Sequence, residues 1–164
     1  MEDVFFPWRS LCAGALAGAL IAGCAAPSAP PPPPPKTPLA CQAASADDPV
    51  AGNWLSVRKQ QGVVGELRTL FTLNPDGTMA YTEQLKRGKK PSQGLSETGC
   101  WKRDGQAVVL QTLLSNGEPV NLDDPIYTNR YTVLKADSQE LSLRSADGVS
   151  IKARRMSPGY RLPF

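Results

Sequence analysis

The sequence predicts an all-β domain, a small antiparallel meander closing into a barrel, and three observations predict it. Apolar residues downstream of position 50 alternate with polar ones instead of recurring at helical spacing. Turn-forming pairs punctuate the chain at hairpin intervals, as Asp76-Gly77, Asp104-Gly105 and Asp147-Gly148. No segment between these turns carries a credible helical pattern.

Taken in order, Trp54 to Lys59 opens the series of strands. Leu67, Thr69, Phe71 and Leu73 then share one face of the next. Asn74-Pro75-Asp76-Gly77 turns the chain, proline presetting φ and glycine accepting a positive one, and Thr78 to Leu85 returns. Asp104-Gly105 joins Gly99 to Arg103 with Ala107 to Leu113. Tyr127 to Leu134 adds a strand with Tyr127, Tyr131 and Val133 on one side. Asp147-Gly148 joins Leu141 to Arg144 with Val149 to Met156. Seven or eight short strands at this spacing favour closure, which removes exposed edges.

Upstream lies an address. Leu11 to Gly23 is an apolar run of Ala, Leu and Gly behind Arg9, too short to span a ~30 Å hydrocarbon core but matched to a secretory leader. The run ends Leu20-Ile21-Ala22-Gly23-Cys24, which resembles the lipobox of bacterial lipoproteins: small residues enter a peptidase cleft, and the Cys24 thiol takes acyl chains such as palmitate. That resemblance implies cleavage before Cys24 and anchoring in a membrane, with Ala25 after the cysteine favouring the outer membrane, facing the periplasm. Pro27 to Pro38, with Pro30 to Pro35 unbroken, excludes helix and sheet and leaves polyproline II. Twelve such residues reach about 37 Å at ~3.1 Å each. The expected organisation is therefore a signal peptide over residues 1–23, a lipidated proline-rich linker over 24–40 and the barrel domain over 41–164.

Cys41 and Cys100 remain once the leader is gone and Cys24 is acylated. An oxidising envelope most simply pairs them, with free thiols or pairing between chains as alternatives. Alternation places Gly99, Trp101 and Arg103 on one face and Cys100 on the other. If Trp101 fills the interior, Cys100 faces outward, where the segment around Cys41 can cross the barrel.

The string Leu67-Arg68-Thr69-Leu70-Phe71-Thr72-Leu73-Asn74-Pro75-Asp76-Gly77-Thr78, then Gly99-Cys100-Trp101-Lys102-Arg103-Asp104-Gly105, then Tyr131-Thr132-Val133 and Leu141-Ser142-Leu143 before Asp147-Gly148, resembles the N-terminal barrel of NlpE-type lipoproteins over residues 52 to 155. The resemblance implies a lipocalin-like fold and a role in surface sensing, envelope stress signalling and copper tolerance. That family carries a C-x-x-C before its L-R-T strand. Here Gln60-Gln61-Gly62-Val63-Val64-Gly65 stands in that place, so copper or redox sensing through the motif does not carry over.

Composition narrows the chemistry further. The 164 residues include no histidine, which removes the commonest general base and metal ligand and, with them, Ser-His-Asp and Cys-His catalysis. No catalytic residue, metal site or cofactor is expected. Asp123-Asp124 before Pro125 reads as a loop cap, and Met79 and Met156 as core filler. The net charge of +3 is a mild excess, and loss of the leader's Arg9, Glu2 and Asp3 makes it +4. Lys86, Arg87, Lys89 and Lys90 around Gly88, and Lys152, Arg154 and Arg155 on the last strand, read as solvated faces; the first group is also a candidate contact for an anionic partner. Nucleic acid is not an expected partner outside the cytoplasm. Trp54, Trp101, Tyr81, Tyr127 and Tyr131 either fill the barrel or line a cavity, since eight strands leave room for one or the other.

The expectation is thus a non-catalytic envelope lipoprotein that binds or senses an envelope protein or a small apolar ligand. The alternatives are a periplasmic hydrolase inhibitor, plugging its target with Lys86 to Lys90 or Ser115 to Pro125, and a pilotin-like accessory of an envelope assembly.

Overall fold

A computed structural model describes residues 40–45, 47–59, 61–62, 64–88 and 93–162. The leader, Cys24, the proline tract, Lys89 and Lys90 lie outside the described residues. Nine strands follow in order: β1 Gly52–Arg58, β2 Glu66–Leu73, β3 Thr78–Lys86, β4 Gln93–Asp104, β5 Ala107–Ser115, β6 Glu118–Pro119, β7 Thr128–Ala136, β8 Glu140–Arg144 and β9 Ser150–Met156. All pairings are antiparallel. Because β4 also pairs with β5 and β1 with β9, eight strands close into a lipocalin-like barrel, and β6 is a two-residue addition to β5. The expected fold class is the one found.

The turns work as their residues dictate. At Asn74–Gly77, Asp76 Oδ1 accepts from the Thr78 amide at 2.9 Å and Gly77 takes φ +82°. A side chain at Gly77 would also strike the Gln42 carbonyl, 1.9 Å from where its Cβ would sit. Two features were not read from the sequence. Strand β4 begins at Gln93, well before Gly99, because its first half carries polar and small residues that hide the alternation. The stretch after Ser115 is no open loop either: Asn116 (φ +49°) and Gly117 (φ +88°) form a two-residue hairpin turn into β6, and Pro125–Tyr127 form a single 3-10 turn. Asp124 caps that turn, accepting from the Ile126 amide, in line with the capping role read for the acid pair.

The connections after β2, β4 and β7 ring one end of the barrel, and those after β1, β3, β5 and β8 ring the other. The first end is packed. Trp54, Phe71, Leu73, Met79, Trp101, Val108, Leu110, Leu141, Leu143, Ile151 and Ala153 fill it, with Val50 from the preceding segment as a plug. Both buried indoles are satisfied: Trp54 Nε1 donates to the Val50 carbonyl at 2.8 Å and Trp101 Nε1 to that of Asn74 at 2.7 Å. Arg155 lies over Trp54 with its guanidinium carbon 4.1 Å from the ring centre, and it donates to the carbonyls of Ala51, Pro49 and Asp137. Arg155 is exposed, as the reading of a solvated face expected, while its guanidinium also covers the Trp54 ring. Lys152 and Arg154 are exposed as well, whereas Ile151 and Ala153 alternate with them into the core; position 155 keeps that alternation but stays exposed at the end of the barrel.

The chain enters the domain at this packed end. Cys41 bonds Cys100 across a Cα–Cα distance of 5.2 Å, Ala44 donates to the Pro75 carbonyl, and Asp48 meets Arg103 at 3.4 Å. Trp101 is interior and Cys100 faces out, as alternation required. Met156 packs outside, with Tyr160, against Leu55, Leu70 and Leu162, where the C-terminal segment folds back over β1 and β2.

Gly99 marks the tightest approach in the sheet. It faces the bulge at Leu113 of β5, and an added Cβ would sit 1.9 Å from the Gln111 carbonyl oxygen. Gly99→Ala must part β4 from β5 and is expected to cost about 2–3 kcal/mol of unfolding free energy, read from urea curves.

Candidate ligand cavity at the barrel mouth

Toward the other end the interior changes character. Alternation carries Arg58 of β1, Thr69 of β2, Tyr81 and Glu83 of β3, Leu95 and Glu97 of β4, Thr112 of β5, and Asn129 and Tyr131 of β7 onto the inward face. Here a cavity of about 210 Å³ opens, lined by Met79, Tyr81, Leu95, Glu97, Leu110, Thr112, Asn129 and Tyr131, with Ile126 of the 3-10 turn at its edge. At ~30 Å³ per water it has room for about seven. Larger hollows lie on the outer surface, the largest beside the C-terminal segment, and open widely to solvent.

Aromatic packing positions the walls. Tyr81 and Tyr131 both stand edge-on to Phe71, with ring centres 5.3 and 6.0 Å away, so a buried Phe of the packed half holds two tyrosines at the mouth. Tyr81 donates its hydroxyl to Glu83 Oε2 at 2.7 Å, and Thr112 donates to Glu97 Oε2 at 3.3 Å. Burial, then the hydrogen bond to Glu83, raises the Tyr81 phenol far above its usual range. Burial, then the charges of Glu83 and Glu97, pushes Tyr131 up to about 12. Both phenols are therefore neutral donors at any physiological pH. Burial also raises the Glu97 carboxyl, the Glu83 charge adds to this, and the Thr112 hydroxyl opposes it. Arg58 Nε is buried without a hydrogen-bond partner among the described residues.

The two glutamates have geometric consequences. Tyr81 pairs with Glu97 and Glu83 with Leu95, which makes Glu83 and Glu97 diagonal neighbours on one inward face of the β3–β4 ladder. No ion pair among the described residues includes either. Nor do three or more metal-ligating side chains gather anywhere among the described residues. The arrangement can hold a small molecule by hydrogen bonds and charge.

Placement of the residues singled out from sequence is mixed. Tyr81 and Tyr131 line the cavity, whereas Trp54 and Trp101 belong to the packed core and Tyr127 to the 3-10 turn. Met79 is core, and it also forms part of the cavity wall. Lys86 ends β3 and Arg87 opens the β3–β4 connection at the mouth; both are exposed, without an ion-pair partner among the described residues. Glu83 and Glu97 were missed, although the alternation Met79, Tyr81, Glu83, Leu85 already put a carboxylate on the inward side.

Because Glu97 has a folded pKa above its ordinary 4.5, its ionisation opposes folding: stability falls as pH rises from about 4.5 through the folded value. Glu97→Gln removes the charge. The variant is expected to show a higher urea midpoint than the parent at neutral pH, with the gap closing below pH 4.5. Equal midpoints at neutral pH would contradict a desolvated carboxylate here.

The fold and this site define a class, a small closed barrel with one polar interior cavity opposite the end where the chain enters. No family model matches the chain, and no curated protein matches it.

Proposed function

We propose that this is a non-catalytic, lipid-anchored binding protein of the bacterial envelope, whose barrel takes up a small ligand at its mouth. The observation that carries the reading is the division of the interior: the end that receives the chain is packed and stapled, and the opposite end is hollow. The leader motif and the absence of histidine support the address and the non-catalytic role. A sensing role of the NlpE type is compatible with such a site, without that family's C-x-x-C chemistry.

A protein partner at the same end is the second reading. Val64, Leu122, Ile126 and Val149 are exposed on mouth connections, beside Lys86 and Arg87, and Ile126 is 66% exposed. Such a rim suits an inhibitor or pilotin-like contact as well as an anionic patch on a sensed protein.

The address is tested by fractionation and mass spectrometry of cells expressing the full chain. The expected result is a mature N-terminus at Cys24 carrying acyl chains, and retention of a Cys24→Ala variant as an uncleaved precursor. An unmodified Cys24 within an uncleaved chain would overturn the envelope reading.

A further inference from the structure

We propose that the mouth end of the barrel docks on an anionic bilayer surface, through the arc formed by the β1–β2, β3–β4 and β8–β9 connections and the strand ends beside them. The inference rests on the lipid-anchor reading above and adds which face of the domain meets the membrane.

Two asymmetries between the ends of the barrel lead to it. Exposed large hydrophobic side chains among the described residues collect at the mouth: Val57, Val64, Leu114, Leu122, Ile126 and Val149 lie on that half, and only Leu134 lies toward the packed end. Charge is divided as well. At the packed end Arg103, Arg130 and Lys135 each meet a carboxylate, whereas Lys59, Lys86, Arg87, Arg144 and Lys152 on the mouth half are exposed and have no ion-pair partner among the described residues. Strand order β4-β3-β2-β1-β9-β8 makes the connections that carry them neighbours, and Arg144 and Lys152 are diagonal on the outer face of the β8–β9 ladder. The acids of this arc are engaged: Glu66 pairs with Arg68 at 2.7 Å, and Asp147 accepts from the Ser145 hydroxyl. The remaining β5–β7 connection is its opposite, with Glu118, Asp123 and Asp124 and no Lys or Arg. The mouth thus has one basic arc, from which Val57, Val64 and Val149 project, and Val64 is 83% exposed.

A bilayer fits this arc better than a folded partner does. The arc holds no aromatic residue, its valines stand apart on separate elements, and lysine is depleted from protein interfaces. Separate aliphatic side chains among cations suit the head-group region, where lipid phosphates meet the charge and the acyl boundary takes the methyls. An anchored domain is held near the membrane, so a weak contact is enough to populate the docked state.

The test uses the full-length acylated protein in vesicles of phosphatidylcholine alone or with phosphatidylglycerol. An environment-sensitive fluorophore is placed at Val64→Cys on the mouth, or at Gln106→Cys beside the packed-end turn. Emission from position 64 is expected to shift to the blue only when phosphatidylglycerol is present, and to revert in about 1 M salt, where the screening length is ~3 Å. Position 106 is expected to report no shift. Adding Lys86→Glu and Arg87→Glu to the position 64 label should abolish the shift while the protein still floats with both kinds of vesicle and keeps a cooperative unfolding transition. Equal emission on both lipids, equal shifts at 64 and 106, or a shift that survives the two charge reversals would overturn the docking surface and leave the anchor reading standing. A protein that floats with neither vesicle would overturn both.

Discussion

Removing the Cys41–Cys100 bridge is expected to lower the unfolding free energy by about 4 kcal/mol, the chain-entropy value for a link between residues 59 apart. The bridge ties the incoming segment to the outer face of β4, and few other contacts do so. Ala44 holds the Pro75 carbonyl at 2.9 Å, and Asp48, 8% exposed at its side chain, meets Arg103 at 3.4 Å. The double variant Cys41→Ser, Cys100→Ser should therefore still fold, with a urea midpoint well below that of the oxidised parent and matching that of the parent under reductant. The barrel proper closes through the β1–β9 ladder, which contains neither cysteine. Ligand binding at the mouth should accordingly survive in conditions where both forms are folded. A bridge-free variant as stable as the parent would contradict the stapling role.

Trp54→Ala is the second large effect, with an expected loss of about 3–5 kcal/mol. Trp54 is fully buried, its indole N–H satisfies the Val50 carbonyl, and its ring is covered by Arg155. Truncation opens a void at the packed end and leaves that carbonyl and the guanidinium without their partner. Arg155→Ala removes the cover and three donated hydrogen bonds, so the two substitutions share an interaction. A double-mutant cycle should return a coupling of about 0.5–2 kcal/mol between positions 54 and 155. Additive losses would mean that the stacking contributes nothing to the closed end.

These two residues also show how much was legible in advance. The alternation in Leu67–Leu73 and the Asn-Pro-Asp-Gly turn identify β2 and β3 because one face is apolar and the turn chemistry is strong. Cys100 was placed outside by the same period-two argument that puts Trp101 inside, and the bridge followed. Arg155 obeys that rule too, yet a cation beside Lys152 and Arg154 reads as surface until Trp54 is known to lie across the ladder from it. Glu83 and Glu97 failed for a similar reason. A carboxylate in a strand of mixed polarity looks solvated, and only closure of the barrel through β1 and β9 encloses it. Which end packs was not legible at all, because it depends on Val50, Arg155 and Met79 filling space between strands distant in sequence. The hairpin at Asn116-Gly117 was legible and was passed over: the pair is a strong two-residue turn signal.

The central claim is that the hollow half of the barrel is where the protein meets its ligand. Native mass spectrometry of the full-length acylated protein, drawn gently from membranes, tests it against Thr112→Phe, which fills the cavity from a fully buried position on β5. The account predicts a small non-covalent adduct on the parent that is lost from the variant, with both forms folded. The same adduct on both proteins, or none on either, would contradict it.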